Sequence, residues 1–84
     1  MSKAEKLILR LLEVPADFSW DELVRVLAMY GFHERPGSGS HRRFVNESTG
    51  KMITGLVKPH HPRKHVARGY LRKAIEYLDL KADI

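Results

Sequence analysis

The spacing of apolar residues changes at Gly31, and this change most constrains the fold. Before Gly31, apolar side chains recur every three or four residues in two stretches, as is typical of amphipathic helices. After it come short segments rich in β-branched and aromatic residues, separated by turn sequences containing glycine and serine. A helical period returns from about His65. The sequence therefore predicts an α+β fold of order α-α-β-β-β-α, with helices on one face of a three-stranded antiparallel sheet.

The helices have recognisable start and stop signals. The first is predicted over Lys3 to Val14, because a proline follows and ends the apolar pattern. The second is predicted to begin at Ser19, since Ser19 and Glu22 have the spacing of a capping box, in which each side chain bonds the other residue's backbone N–H. A glycine after Tyr30 ends it. The last helix is predicted from about His65 to near Leu80.

Three strands are predicted between the second and the last helix. They cover Phe32 to Arg35, His41 to Asn46 and Lys51 to Val57. Successive side chains of a strand point to opposite faces, so Phe44 shares a face with Arg42, and His41 shares the other with Arg43. If Phe44 faces the helices, His41 and Arg43 lie on the open, solvated face of the sheet.

Length and cysteine content restrict the class of protein. A chain of 84 residues forms one domain with a small core. It has no cysteine, which excludes disulfides and thiolate zinc sites. No apolar run is long enough to span a bilayer and no signal-peptide pattern is present, so we expect a cytoplasmic protein without membrane contact. We expect no cofactor and no metal, because the histidines near Pro62 have neither cysteine nor carboxylate beside them.

The charge is distributed unevenly along the chain. The net charge is +5, but the stretch from Arg35 to Lys73 contains ten lysines and arginines and one acid, Glu47, which gives it +9 and leaves −4 for the rest. Such asymmetry indicates a polyanionic partner. A solvated basic face is the alternative, and charge alone does not distinguish RNA from DNA or from an acidic protein.

His41 is the candidate catalytic residue. It follows the turn sequence Gly37-Ser38-Gly39-Ser40, whose backbone N–H groups can bind an anion, and arginines follow it. Metal-free RNA cleavage needs a base for the 2′-OH, an acid for the leaving oxygen and cations for the phosphorane. His41 is predicted to be the base or the acid, and Arg43 is the first choice for stabilising the phosphate. The other predicted RNA contacts are Arg35, Ser38, Gly39, Ser40, Arg42, Lys51, Lys58, His60, His61, Arg63 and Lys64.

The chain resembles the HicA toxins. The resemblance is carried by the Gly-Phe strand start, Gly39-Ser40-His41 before an Arg-Phe strand, Lys58-Pro59-His60-His61, and Gly-x-Leu-Arg-x-x-Ile from Gly69. It implies a double-stranded-RNA-binding-domain-like fold, metal-free mRNA interferase activity with a catalytic histidine matching His41, and inhibition by a HicB antitoxin. Many members of the family carry a second histidine directly after the first, where this chain has Arg42.

The resemblance covers about Ser19 to Leu80. We therefore expect residues 19–80 to form the HicA-like domain, residues 1–18 to be an additional helix and turn, and residues 81–84 to be a tail. The first helix is expected to pack onto the domain, and contact with another chain is the alternative. Either a homo-oligomer or a heteromeric toxin–antitoxin complex is compatible with the sequence. Two other functions stay open: a non-catalytic RNA-binding module of the same fold, and an interaction protein whose basic face binds an acidic partner.

Overall fold

Six regular elements follow one another in the predicted order α-α-β-β-β-α. The computed structural model describes residues 2–36, 41–59 and 65–79. The strands form one antiparallel sheet in the order β1-β2-β3, and the helices pack on one of its faces. The elements are α1 (Lys3–Leu12), α2 (Trp20–Met29), β1 (His33–Pro36), β2 (His41–Val45), β3 (Met52–Val57) and α3 (Arg68–Leu78). The fold class expected from the sequence is confirmed.

The helix ends differ from the predicted ones by a few residues, and the backbone explains why. Helix α1 ends at Leu12, because Val14 has a φ of +49°, which an α-helix cannot accommodate. Helix α3 begins at Arg68 and not near His65, since Ala67 is still extended, with φ −61° and ψ 140°. The capping box of α2 is confirmed: the Ser19 hydroxyl accepts from the Glu22 N–H at 3.1 Å, and Glu22 Oε1 accepts from the Ser19 N–H at 2.9 Å.

The core lies between the helices and the sheet. Phe44 of β2 is fully buried there, and its ring centroid is 5.7 Å from that of Trp20. Trp20 and Phe44 are therefore core residues. Helix α1 adds Leu11, which is also fully buried, so the predicted packing of this helix onto the domain is confirmed. Further buried side chains are Phe18, Leu23, Val26, Leu27, Phe32, Ile53, Leu56, Val66, Leu71 and Ala74.

A β-bulge interrupts the pairing of β2 with β3. Arg42 pairs with Leu56, whereas Phe44 pairs with Ile53, so two residues of β3, Thr54 and Gly55, lie opposite Arg43. Gly55 has a φ of +83°, which is readily adopted only by glycine. The extra residue turns both Ile53 and Leu56 towards the helices, although they are three positions apart.

The helices of the described residues are short. The longest, α3, has 11 residues. None of the helices in residues 2–36 and 65–79 is long and apolar enough to cross a membrane.

Candidate nucleic-acid interface

His41 is the first residue of β2 and is exposed. Its partner on β3 is Val57, the last residue of that strand, so it lies at one end of the sheet. Phe44, three residues on, is buried beneath the helices. Because side chains alternate along a strand, His41 points away from the described helices, on the open face of the sheet.

The register of the strands shows which residues share this open face with His41. Residues that pair directly across two strands point to the same side. Arg35 of β1 pairs with Arg43 of β2, and both are exposed. The remaining members of the open face, by the same rule, are His33, Val45, Met52 and Val57. The face therefore combines two histidines and two arginines with a small apolar area.

The two arginines face each other across the strands, which is unfavourable in the absence of an anion. Arg35 is partly neutralised, because its Nη2 donates to Glu47 Oε1 at 2.5 Å. Arg43 has no carboxylate within 4.0 Å among the residues that the structure describes. Arg43 also lies directly opposite the bulge residues Thr54 and Gly55. The pair thus presents positive charge to solvent next to His41, and a phosphate between the guanidinium groups would relieve their repulsion.

Lys58 and Lys51 occupy different ends of the sheet. Lys58 is exposed and follows directly after Val57, so it lies at the same end as His41. Lys51 lies at the β2–β3 turn, where its carbonyl accepts from the Asn46 N–H at 2.9 Å. The length of β2 separates the two ends by about 13 Å at the usual rise per residue. Of the two lysines, only Lys58 lies at the end of the sheet where His41 begins β2.

Arg42 is adjacent to His41 in sequence but lies on the opposite face. Its Nε donates to Glu34 Oε2 at 2.7 Å, and the same oxygen accepts from Trp20 Nε1 at 3.3 Å. The Arg42 and Glu34 side chains are only 28% and 22% exposed. The side chain that was predicted to contact RNA is thus held by a carboxylate on the side of the helices.

Glu34 is the residue of this arrangement that sequence reasoning missed. A signal for it was present, because Glu34 lies two positions after the buried Phe32 and so shares its face. An acidic residue on the covered face of a strand needs a cationic or hydrogen-bonding partner, which Arg42 and Trp20 supply here.

Several predicted site residues lie outside the described residues, and their roles stay predictions. They are Ser38, Gly39, Ser40, His60, His61, Arg63 and Lys64.

Comparison with known proteins assigns the chain to a family. The family model described as the HicA toxin of bacterial toxin–antitoxin systems matches residues 20–80, which is 61 of the 84 residues. The match starts with α2, includes the whole sheet and α3, and leaves α1 outside. No curated protein and no solved structure matches the chain. A match over most of the chain, together with the α-β-β-β-α order within it, shows that the protein belongs to the HicA family of bacterial toxin–antitoxin toxins.

Proposed function

We propose that this protein is an mRNA interferase, an endoribonuclease in which His41 transfers the proton and no metal takes part. The observation that carries the proposal is the position of His41, exposed at the end of an open sheet face that also presents Arg35 and Arg43. Membership of the HicA family supports it, because toxins of this family cleave mRNA.

The proposed reaction is transesterification within the RNA strand. The His41 imidazole takes the proton of a 2′-OH, and the 2′-oxygen forms a bond to the neighbouring phosphorus. The bond from phosphorus to the 5′-oxygen breaks, and that oxygen gains a proton from water or from the imidazolium just formed. The guanidinium groups of Arg43 and Arg35 stabilise the negative charge of the phosphorane. The two products are a strand that ends in a 2′,3′-cyclic phosphate and a strand that begins with a 5′-hydroxyl.

An open face suits a polymeric substrate. Of the predicted contacts, Arg35, Arg43 and Lys58 are exposed and lie on this face or at its His41 end, so we propose that they bind the backbone phosphates. Trp20 and Phe44 lie in the core, and stacking on bases therefore does not come from these two rings. Recognition of the strand would depend on charge and hence on salt concentration.

We propose a HicB-type antitoxin as the protein partner. Family membership implies an antitoxin. Met52, a residue that is 45% exposed, and its neighbour Val45 place an apolar area beside the basic residues. A partner that is apolar at the centre and acidic at the rim would cover this area and exclude RNA from His41.

The test compares two histidines of the same face. In excess chelator, antitoxin-free His41→Ala should cleave labelled RNA at least 100-fold more slowly than the wild type. His33→Ala removes an exposed histidine from the neighbouring strand and should cleave within a few-fold of the wild type. Both variants should bind RNA at low salt like the wild type, because a single imidazole contributes little to phosphate binding.

The outcomes separate the candidate functions. Cleavage by His41→Ala at the wild-type rate would exclude the proposed role of His41. Salt-sensitive RNA binding by the wild type without cleavage products would indicate a non-catalytic RNA-binding module. The absence of RNA binding at low salt would leave an interaction protein with an acidic partner.

A further inference from the structure

We propose that the Arg42–Glu34 ion pair is a positioning device that keeps His41 on the open face of the sheet. The proposal rests on the proposed function, because it concerns the placement of the catalytic imidazole. Arg42 and Glu34 are positioning residues, since neither side chain lies on the face where RNA would bind.

Three elements meet at the Glu34 carboxylate. Glu34 belongs to β1 and pairs with Phe44 of β2, so Arg42, two positions before Phe44, is its diagonal neighbour on the covered face. The bond from Arg42 Nε measures 2.7 Å, and Trp20 of α2 donates to the same oxygen at 3.3 Å. The pair therefore joins β2 to β1 and to α2 immediately beside His41.

The alternation of the strand converts this anchor into a constraint on His41. A shift of pairing by one residue would exchange the two faces and carry His41 beneath the helices. Such a shift would also leave the Glu34 carboxylate, which is only 22% exposed, without its cation, and this is unfavourable. Arg42 on the covered face thus requires His41 on the open one.

On its other side, β2 pairs with β3, and this pairing reaches His41 but is irregular near it. His41 pairs with Val57, but the register shifts between Arg42 and Phe44, so the regular ladder is interrupted two residues from His41. The side-chain link to β1 spans this interruption. A role in positioning β2 explains why the Arg42–Glu34 ion pair lies on the covered face of the sheet, among apolar residues.

The same geometry argues against Arg42 as a phosphate contact. Its Nε is occupied by Glu34, and its side chain lies towards α2. Arg43, by contrast, is exposed on the open face. The two neighbouring arginines should therefore have separable effects on kcat and KM.

The experiment measures RNA cleavage by Glu34→Gln, Arg42→Gln and Arg43→Gln. The first two should lower kcat roughly 10- to 100-fold and leave KM within about twofold, because a displaced imidazole slows chemistry more than binding. Arg43→Gln should raise KM and also lower kcat, because its guanidinium is proposed to contact the phosphate both in the bound substrate and in the phosphorane. The exchange variant Glu34→Arg/Arg42→Glu restores the ion pair and should recover most of the lost kcat. If the glutamine variants unfold, the conservative Arg42→Lys replaces them; it keeps the positive charge and should retain most of the wild-type kcat.

Two results would overturn the proposal. In one, KM rises in Arg42→Gln as it does in Arg43→Gln, and Glu34→Gln has no effect. Arg42 would then be a phosphate contact. The other is a folded Glu34→Gln protein with the wild-type kcat, which would leave the pair a purely stabilising role.

A second readout does not depend on activity. The NMR signals of the His41 ring in RNA-free protein should shift or broaden in Glu34→Gln and return in the exchange variant. Unchanged ring signals in Glu34→Gln would contradict the positioning role. The proposed chemistry can also fail by itself. If His41→Ala still cleaves RNA but the exchange variant restores the His41 ring signals, the positioning role is retained and only the proposed chemistry is rejected.

Discussion

At the scale of single residues, Glu22 connects the added helix to the matched domain. Its Oε1 closes the capping box with Ser19, and its Oε2 accepts from Arg10 Nη1 of α1 at 2.5 Å. Arg10 also binds Asp17 Oδ1 at 2.7 Å and lies over the Phe18 ring, 5.2 Å from its centroid. Partial burial tends to raise the pKa of Glu22, but the hydrogen bonds from Ser19 and the charge of Arg10 outweigh it and lower the pKa below its ordinary value of 4.5.

This lowered pKa predicts an acid-dependent loss of stability. The unfolded protein takes up the proton at a higher pH than the folded one, so the carboxylate stabilises the fold above pH 4.5 and ceases to do so as the pH falls through the folded value. Glu22→Gln should therefore unfold more easily than the wild type at pH 7, and the difference should shrink in acid. Urea unfolding at several pH values measures it. Glu76→Gln, on the exposed side of α3, is the control and should show no such trend.

The sequence predicts one contact of Glu22 but not the ion pairs of Glu22 and Glu34. The bond between Ser19 and Glu22 is local, because a helix start brings residues three apart together, and the spacing alone predicts it. The exposure of His41 is also predictable, since it follows from Phe44 by strand alternation. The pairs of Glu22 with Arg10 and of Glu34 with Arg42 span 12 and 8 residues. They depend on how elements pack, which no local pattern contains.

At the scale of elements, β3 shows where pattern reasoning fails. Strict alternation would place Ile53 on the covered face and Leu56 on the open one, exposing a leucine. The bulge at Thr54 and Gly55 instead buries both residues. The strand itself was predicted to within one residue, since its β-branched composition is a local property. The insertion of an extra residue depends on the partner strand and on the core to be filled, so the composition of β3 did not reveal it.

The bulge makes Gly55 of β3 sensitive to substitution. Gly55→Ala should cost about 1–2 kcal/mol of unfolding free energy, because a side chain at positive φ is strained. The new methyl group would also meet the amine of Lys73, but a lysine side chain can move away. Denaturant unfolding measures the loss.

Substitutions at two other glycines distinguish the effect of backbone strain from that of a steric contact. Gly50 has a φ of +75° and open space around it, so Gly50→Ala should lose a similar amount. Gly69 lies in α3 with no atom near the added Cβ, and Gly69→Ala should stabilise the protein by up to about 1 kcal/mol. A Gly55→Ala protein as stable as the wild type would show that the positive φ is not needed at the bulge.

At the scale of the whole molecule, the structural unit extends beyond the family match. The match begins at residue 20, yet Leu11 and Phe18 are fully buried with the rest of the core. The Phe18 carbonyl accepts from the Val66 N–H at 2.8 Å, which ties the segment after α1 to the segment before α3. Helix α1 also packs against α2 and α3. We infer that residues 2–19 complete the fold and do not form a separate appendage.

This role of α1 predicts a large effect from one core residue. Leu11→Ala should lower the free energy of unfolding by about 2–5 kcal/mol, because it removes buried methyl groups and leaves a cavity. Leu12→Ala makes the same chemical change at a half-buried neighbour and should cost less. The urea midpoint should fall with an unchanged slope. Below its melting temperature Leu11→Ala should still cleave RNA, because His41 lies on the other face of the sheet. Equal stability of Leu11→Ala and the wild type would instead indicate that α1 serves contact with another chain.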